Sequence, residues 1–95
     1  MRVPLGGLRA GEGRLLVAAG REVALFLTED GPRAVDARCP HAGGPLHDGI
    51  VSGRMVVCPL HLRRVDLDTG EVEDCEQRVR CYTVEVAEGE VRILD

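Results

Sequence analysis

The chain contains no lysine and no tryptophan, and its aromatic residues are Phe26 and Tyr82 alone. All twelve basic residues are arginine, a bias that says little about function. The shortage of rings says more, because a core without them must be assembled from Val, Leu, Ile and Ala, which bury less area per residue. The chain of 95 residues is expected to form a single domain over 1–95, and a domain this small with so few rings calls for another staple. No apolar run approaches the ~18 residues of a membrane span, so no membrane association is expected. Arg2, Arg9, Glu12, Arg14, Arg21, Glu22, Glu29 and Asp30 interrupt the first thirty residues, which lack the unbroken apolar segment of a secretory signal. A cytoplasmic location is expected. The formal charge of −4 and the lack of clustered Lys/Arg argue against nucleic acid as a partner. The sequence offers no nucleophile with a base, no nucleotide loop and no open carboxylate–metal site, so by itself the chain is not expected to be an enzyme.

What is present is a series of short β-prone runs. Residues 14–19, 22–28 and 33–37 are separated by Gly20-Arg21 and by Asp30-Gly31-Pro32, which supply turn geometry. Residues 49–51 and 54–57 are joined by Ser52-Gly53, a link of hairpin length. Residues 64–67 run into Asp68-Thr69-Gly70, and 81–86 and 91–94 flank Glu88-Gly89. No apolar period of 3.6 extends far enough for a helix, and turns recur every eight to twelve residues. The expected fold is all-β, a small antiparallel sandwich or barrel.

The chemistry-bearing residues lie in two similar segments, Cys39-Pro40-His41-Ala42-Gly43-Gly44-Pro45-Leu46 and Cys58-Pro59-Leu60-His61. Each offers a soft thiolate and an imidazole, and sixteen residues separate His41 from Cys58. Proline after each cysteine fixes φ and removes a donor, so both loops are stiffened where they start. Gly43 and Gly44 allow a tight turn beneath a bound group. Folding of the 50–57 hairpin brings the two loops face to face and assembles a Cys₂His₂ set from Cys39, His41, Cys58 and His61. Three readings remain open from the residues alone. The set could hold a [2Fe–2S] cluster with thiolates on one iron and imidazoles on the other. It could close on one tetrahedral zinc, as a stapled interaction module, although structural zinc favours wider gaps than the single residue between Cys39 and His41. Or the repetition is chance in ordinary loops.

The pattern Cys-x-His, sixteen residues, Cys-x-x-His resembles the Rieske [2Fe–2S] motif, and the strands around it resemble that family over nearly the whole chain. The resemblance implies a Rieske-type fold with a cluster-binding subdomain, ligand loops at about 38–47 and 57–64, and one [2Fe–2S] cluster. It places the thiolate ligands on Cys39 and Cys58 and the imidazole ligands on His41 and His61. Val35 to Pro45, Cys58-Pro59-Leu60-His61 and the Asp66–Gly70 stretch look most like two groups within the family. These are the Rieske ferredoxins of ring-hydroxylating dioxygenases and the small subunit of NAD(P)H-dependent nitrite reductase. The implied function is a soluble carrier of single electrons, monomeric when free, between a flavin-containing reductase and a terminal oxidoreductase. The alternative is an integral nitrite reductase subunit bound to a large chain. The Rieske proteins of cytochrome bc complexes carry a further disulfide between their ligand loops, but the corresponding places here are Gly44 and Leu60. Leu62 and Arg63 stand where those proteins have a Gly-Ser pair that donates to a bridging sulfide. Fewer donors imply a potential in the lower part of the Rieske range, about −150 to 0 mV.

Other residues have plainer readings. His47 reads as a turn histidine, since the ligand set is complete without it. Cys75 and Cys81 read as free thiols, with a bridge between them or a place for Cys75 over the cluster as the alternatives. Arg63 and Arg64, and the acidic run Asp66, Asp68, Glu71, Glu73, Asp74 and Glu76, could meet a charged partner or serve as solvated surface. Tyr82 is expected in the core with its hydroxyl partnered at a sheet edge.

Overall fold

The run Val23-Ala24-Leu25-Phe26-Leu27 has no polar alternation, which is how a strand buried on both faces reads. In the computed structural model, which describes residues 2–18, 20–40, 43–60 and 62–94, this run is the centre of the fold. It lies in β3 (Arg21–Thr28), which pairs antiparallel with β2 (Gly13–Ala18) on one side and β4 (Gly31–Asp36) on the other. Ala24 and Phe26 face one core, and Val23 and Leu25 face another. The alternation is therefore between two interiors rather than between interior and solvent.

Three antiparallel sheets surround this strand. The central one has the order β2-β3-β4-β8, with β8 being Cys81–Tyr82. A second, β1-β10-β9, joins β1 (Arg2–Pro4) to β10 (Glu90–Ile93) and then to β9 (Val84–Ala87). A third, β5-β6-β7, is built from Ile50–Ser52, Met55–Val57 and Arg64–Asp66. Among the described residues the regular structure is otherwise two 3₁₀ turns, Leu5–Gly7 and Leu46–Asp48, so the all-β expectation holds.

Three local expectations are corrected. The hairpin turn is Gly53-Arg54, because Ser52 pairs with Met55, and Gly53 takes the left-handed conformation at φ 61° that the turn requires. The run 81–86 is broken at Thr83, whose carbonyl accepts from Leu94 N–H, and its two pieces join different sheets. Strand β1 was not anticipated, since its three residues gain a partner only when Arg2, Val3 and Pro4 meet Arg92, Val91 and Glu90 from the far end of the chain.

The first core runs from β3 and β4 through Leu46, Val56, Val65 and Leu67, and it includes both Cys39 and Cys58. The third sheet therefore shares its interior with the central sheet, and the two cysteine loops are packed against that shared core. The second core holds Val3, Leu8, Tyr82, Val91 and Ile93.

Candidate metal centre

Each cysteine stands at the first position of a six-residue loop that caps a two-stranded ladder. In the first loop Arg38 pairs with Pro45. Beyond that pair Cys39 N–H donates to the Gly44 carbonyl at 2.9 Å, and Gly43 N–H donates to the Cys39 carbonyl at 2.7 Å. In the second loop Val57 pairs with Arg64. There Cys58 N–H donates to the Arg63 carbonyl at 2.9 Å, and Leu62 N–H donates to the Cys58 carbonyl at 2.8 Å. The two loops thus share one backbone scheme, in which Cys39 matches Cys58, Pro40 matches Pro59, Gly43 matches Leu62 and Gly44 matches Arg63. The fifth position is left-handed in both, at φ 69° for Gly43 and 57° for Leu62. Within this scheme the two histidines of the sequence are staggered, His41 at the third place and His61 at the fourth. His41 and His61 themselves lie outside the described residues.

The hairpin formed by β5 and β6 sets the loops together. Ile50 pairs with Val57, so the chain leaving the first loop through Leu46–Asp48 lies beside the chain entering the second. Both thiols are buried, Cys39 at 1% and Cys58 at 0% relative exposure. Gly44 touches the opposite loop closely. A Cβ on Gly44 would sit 2.6 Å from Cys58 Sγ and 3.1 Å from Leu60 Cβ. Gly43 thus supplies a left-handed turn and Gly44 supplies room. Leu60 and Leu62 themselves point away from the core, at 60% and 72% exposure.

A third segment braces the second loop. Val65 forms a bridge with Val72, and Glu73 N–H donates to the Arg64 carbonyl at 2.9 Å. Arg64 Nη2 meets Glu73 Oε2 at 2.6 Å, and Arg63 Nη1 donates to the Asp74 carbonyl at 3.1 Å. The hydrogen bond from Arg64 holds the Glu73 carboxyl below the usual carboxylate range. The turn leading into this brace is fixed by Asp66, 7% exposed, whose Oδ1 accepts from Asp68 N–H and Thr69 N–H at 2.8 and 3.1 Å. Its Oδ2 meets Arg54 Nε at 3.2 Å. Asp66 is therefore part of the turn and not of an acidic docking face. The remainder of the acidic run is divided between such pairs and solvent.

Cys75 and Cys81 are free thiols, as expected, and both pack half-buried against the core that contains Cys39 and Cys58. Burial, together with the charges of Asp66, Asp68 and Asp36, pushes the Cys81 thiol up. His47 sits in the 3₁₀ turn after the first loop, with Nε2 3.8 Å from Asp48 Oδ1, and fits its reading as a turn residue. Tyr82 is 7% exposed, and its hydroxyl donates to Asp36 Oδ1 at 2.7 Å. The glycine pair is visible in the sequence, but that Gly44 supplies room for Cys58 and Leu60 rather than a turn, and that Leu62 is left-handed, is not, because each depends on how the two loops fold.

Two buried thiols on matched loops suit a metal group bound by soft donors from both sides. Comparison with known proteins bears on which group. The Rieske [2Fe–2S] domain matches residues 5–89. The ferredoxin component of a naphthalene 1,2-dioxygenase system from Pseudomonas aeruginosa is 35% identical over 80% of this chain and 74% of its own. A chain from the complex of reduced oxygenase and oxidised ferredoxin in carbazole 1,9a-dioxygenase superposes with a TM-score of 0.89 at 26% identity, covering 99% of this chain and all of the other. A Mycobacterium tuberculosis protein described as an NADH-dependent nitrite reductase small subunit superposes at 0.88 with 29% identity, over 98% and 95% of the two chains. Matched cysteine loops, an all-β frame and a domain match across nearly all of the chain converge, and the protein belongs to the Rieske [2Fe–2S] family.

Proposed function

We propose that the protein is a ferredoxin-type electron carrier, taking single electrons from a flavin-containing reductase and delivering them to the oxygenase component of a ring-hydroxylating dioxygenase. The observation that carries this reading is the naphthalene dioxygenase ferredoxin component, similar over 80% of the chain, beside the buried, matched pair Cys39 and Cys58. A Rieske-type [2Fe–2S] cluster supplies one-electron chemistry when bound. Cys39 and Cys58 would ligate one iron and His41 and His61 the other. The chain's own part is to bury the two thiolates from water, to stiffen each loop at Pro40 and Pro59, and to bring the loops close at Gly44. The protein transfers electrons and transforms no organic substrate itself. It works in the cytoplasm. The second reading, an integral nitrite reductase subunit, is favoured by the likeness to the M. tuberculosis protein. An integral subunit co-purifies with one large chain, whereas a ferredoxin is isolated free.

The test is an anaerobic visible spectrum with low-temperature EPR of the dithionite-reduced protein. The expected result is a red-brown protein giving a rhombic signal whose average g is lowered by imidazole ligation. A colourless, EPR-silent protein containing one zinc would overturn the reading.

A further inference from the structure

The two cysteine loops share their internal hydrogen bonds but are anchored to the fold in different ways. The first is sewn to the central sheet at both flanks. Ala37 N–H donates to the Glu22 carbonyl at 3.1 Å, Leu46 N–H donates to the Ala37 carbonyl at 2.8 Å, and both Ala37 and Leu46 are buried. The second loop returns into β7, a three-residue strand at the edge of the third sheet, paired on one side with β6. Among the described residues its other side is met by the brace, residues 71–78. The contacts are the Val65–Val72 bridge and two backbone bonds of 2.9 Å, from Glu73 N–H to the Arg64 carbonyl and from Asp66 N–H to the Glu71 carbonyl.

The brace is lightly held. Val72 is its one buried side chain, Cys75 is half-buried, and Glu76, Gln77 and Arg78 are exposed. A segment with so few buried apolar contacts opens at a lower free energy than the sheets around it. Opening also relieves Leu62, held left-handed at φ 57° with its side chain in solvent. What resists opening is an ion pair. Arg64 Nη2 and Nε both donate to Glu73 Oε2, at 2.6 and 3.1 Å, and Arg63 Nη1 donates to the Asp74 carbonyl. The first loop has an arginine of its own, since Arg38 donates to Glu22 Oε1 at 3.3 Å and to the Gly43 carbonyl at 3.4 Å. Glu22, however, belongs to β3, the central strand, which does not lift away.

We propose that residues 71–78 are the gate through which the cluster is inserted and released, and that Glu73 is the positioning residue that keeps the gate shut by holding Arg64. The inference rests on the assignment of Cys39 and Cys58 as ligands and goes beyond the electron-carrier reading. When the Glu73–Arg64 pair parts, the brace lifts from β7 and the second loop swings outward. Cys58 then reaches solvent while Cys39 stays in the core.

The experiment incubates the cluster-bearing protein with a strong iron chelator and iodoacetamide. Visible absorbance follows iron release, and peptide mass spectrometry follows alkylation of Cys39 and Cys58. In wild type Cys58 is expected to be alkylated ahead of Cys39. Glu73→Gln and Arg64→Met should each release iron about two- to fivefold faster, the size expected of one surface ion pair. The double variant should be no faster than the quicker single one, since both remove the same interaction. High salt should speed wild type more than the variants. The EPR spectrum of the loaded protein should be the same in all of them, because the closed gate is unaltered. Glu22→Gln, which removes the partner of Arg38 on the first loop, is the control and should release iron as wild type does. A Glu73→Gln protein that holds iron as long as wild type overturns the gate, as does an equal acceleration by Glu22→Gln or alkylation of Cys39 first. Protein that loses its colour while neither Cys39 nor Cys58 is alkylated defeats the ligand assignment, and this inference with it.

Discussion

Gly44 controls how near the two cysteine loops can come. The space that its missing side chain leaves is filled by Cys58 Sγ and by Leu60, so any β-carbon must push the loops apart. Gly44→Ala is expected to lower iron content per protein and to destabilise the fold by about 1–3 kcal/mol. Iron analysis and thermal denaturation check this. Gly43→Ala makes the contrast, since a Cβ there meets nothing within 4 Å and the cost is the left-handed strain alone, about 1–2 kcal/mol, with the cluster retained. The sequence shows the Cys-Pro repeats and the glycine pair, because those are local. It does not show that the two glycines have different tasks, one set by φ and the other by a thiol nineteen residues from Cys39. Nor does it show that Leu62 is the counterpart of Gly43, which depends on counting backbone hydrogen bonds rather than residues from the histidines.

At the scale of elements, the weakest join in the central sheet is between β4 and β8, where two residue pairs meet, Ala34 with Tyr82 and Val35 with Cys81. Side chains reinforce it. Asp36 accepts from the Tyr82 hydroxyl at 2.7 Å and from Arg80 N–H at 3.0 Å, and the Arg80 guanidinium lies 5.2 Å from the Tyr82 ring centre. Burial, and then the bond to Asp36, raise the Tyr82 pKa above the ordinary tyrosine value. The folded protein therefore keeps this proton at a pH where the unfolded chain has released it. The stabilisation is whole below about pH 10 and is lost as pH rises through the folded pKa. Tyr82→Phe should cost about 1–2 kcal/mol at neutral pH and should flatten the alkaline fall in stability, measured by urea denaturation from pH 7 to 11. The sequence reveals Tyr82 as a core ring with a polar end, but not its partner, since Asp36 lies forty-six residues away. For the same reason β1 is missed, as three residues carry no period and their pairing comes from the opposite end of the chain.

Over the whole molecule the chain solves its lack of rings by burying β3 on both faces and by placing its one phenylalanine on the core that holds Cys39 and Cys58. Short runs and frequent turns are enough to read the fold class, because they are properties of neighbours in sequence. The division into two cores is not readable, because Val23-Ala24-Leu25-Phe26 is apolar at every position and assigns no side. A group bound by both loops stabilises the folded state over the unfolded one by mass action. Cys58→Ser should therefore lose both the visible absorption and several degrees of thermal midpoint, the two falling together in a melt followed by absorbance and circular dichroism. A stable, coloured Cys58→Ser protein would mean that the ligands are misassigned. The pairing of Arg2 with Arg92 puts the first and last strands side by side in a sheet whose side chains fill the other core, the one without Cys39 or Cys58. A tether to an electrode or a fused reductase domain attached on β1 or β10 would therefore load a sheet that takes no part in holding the cysteine loops.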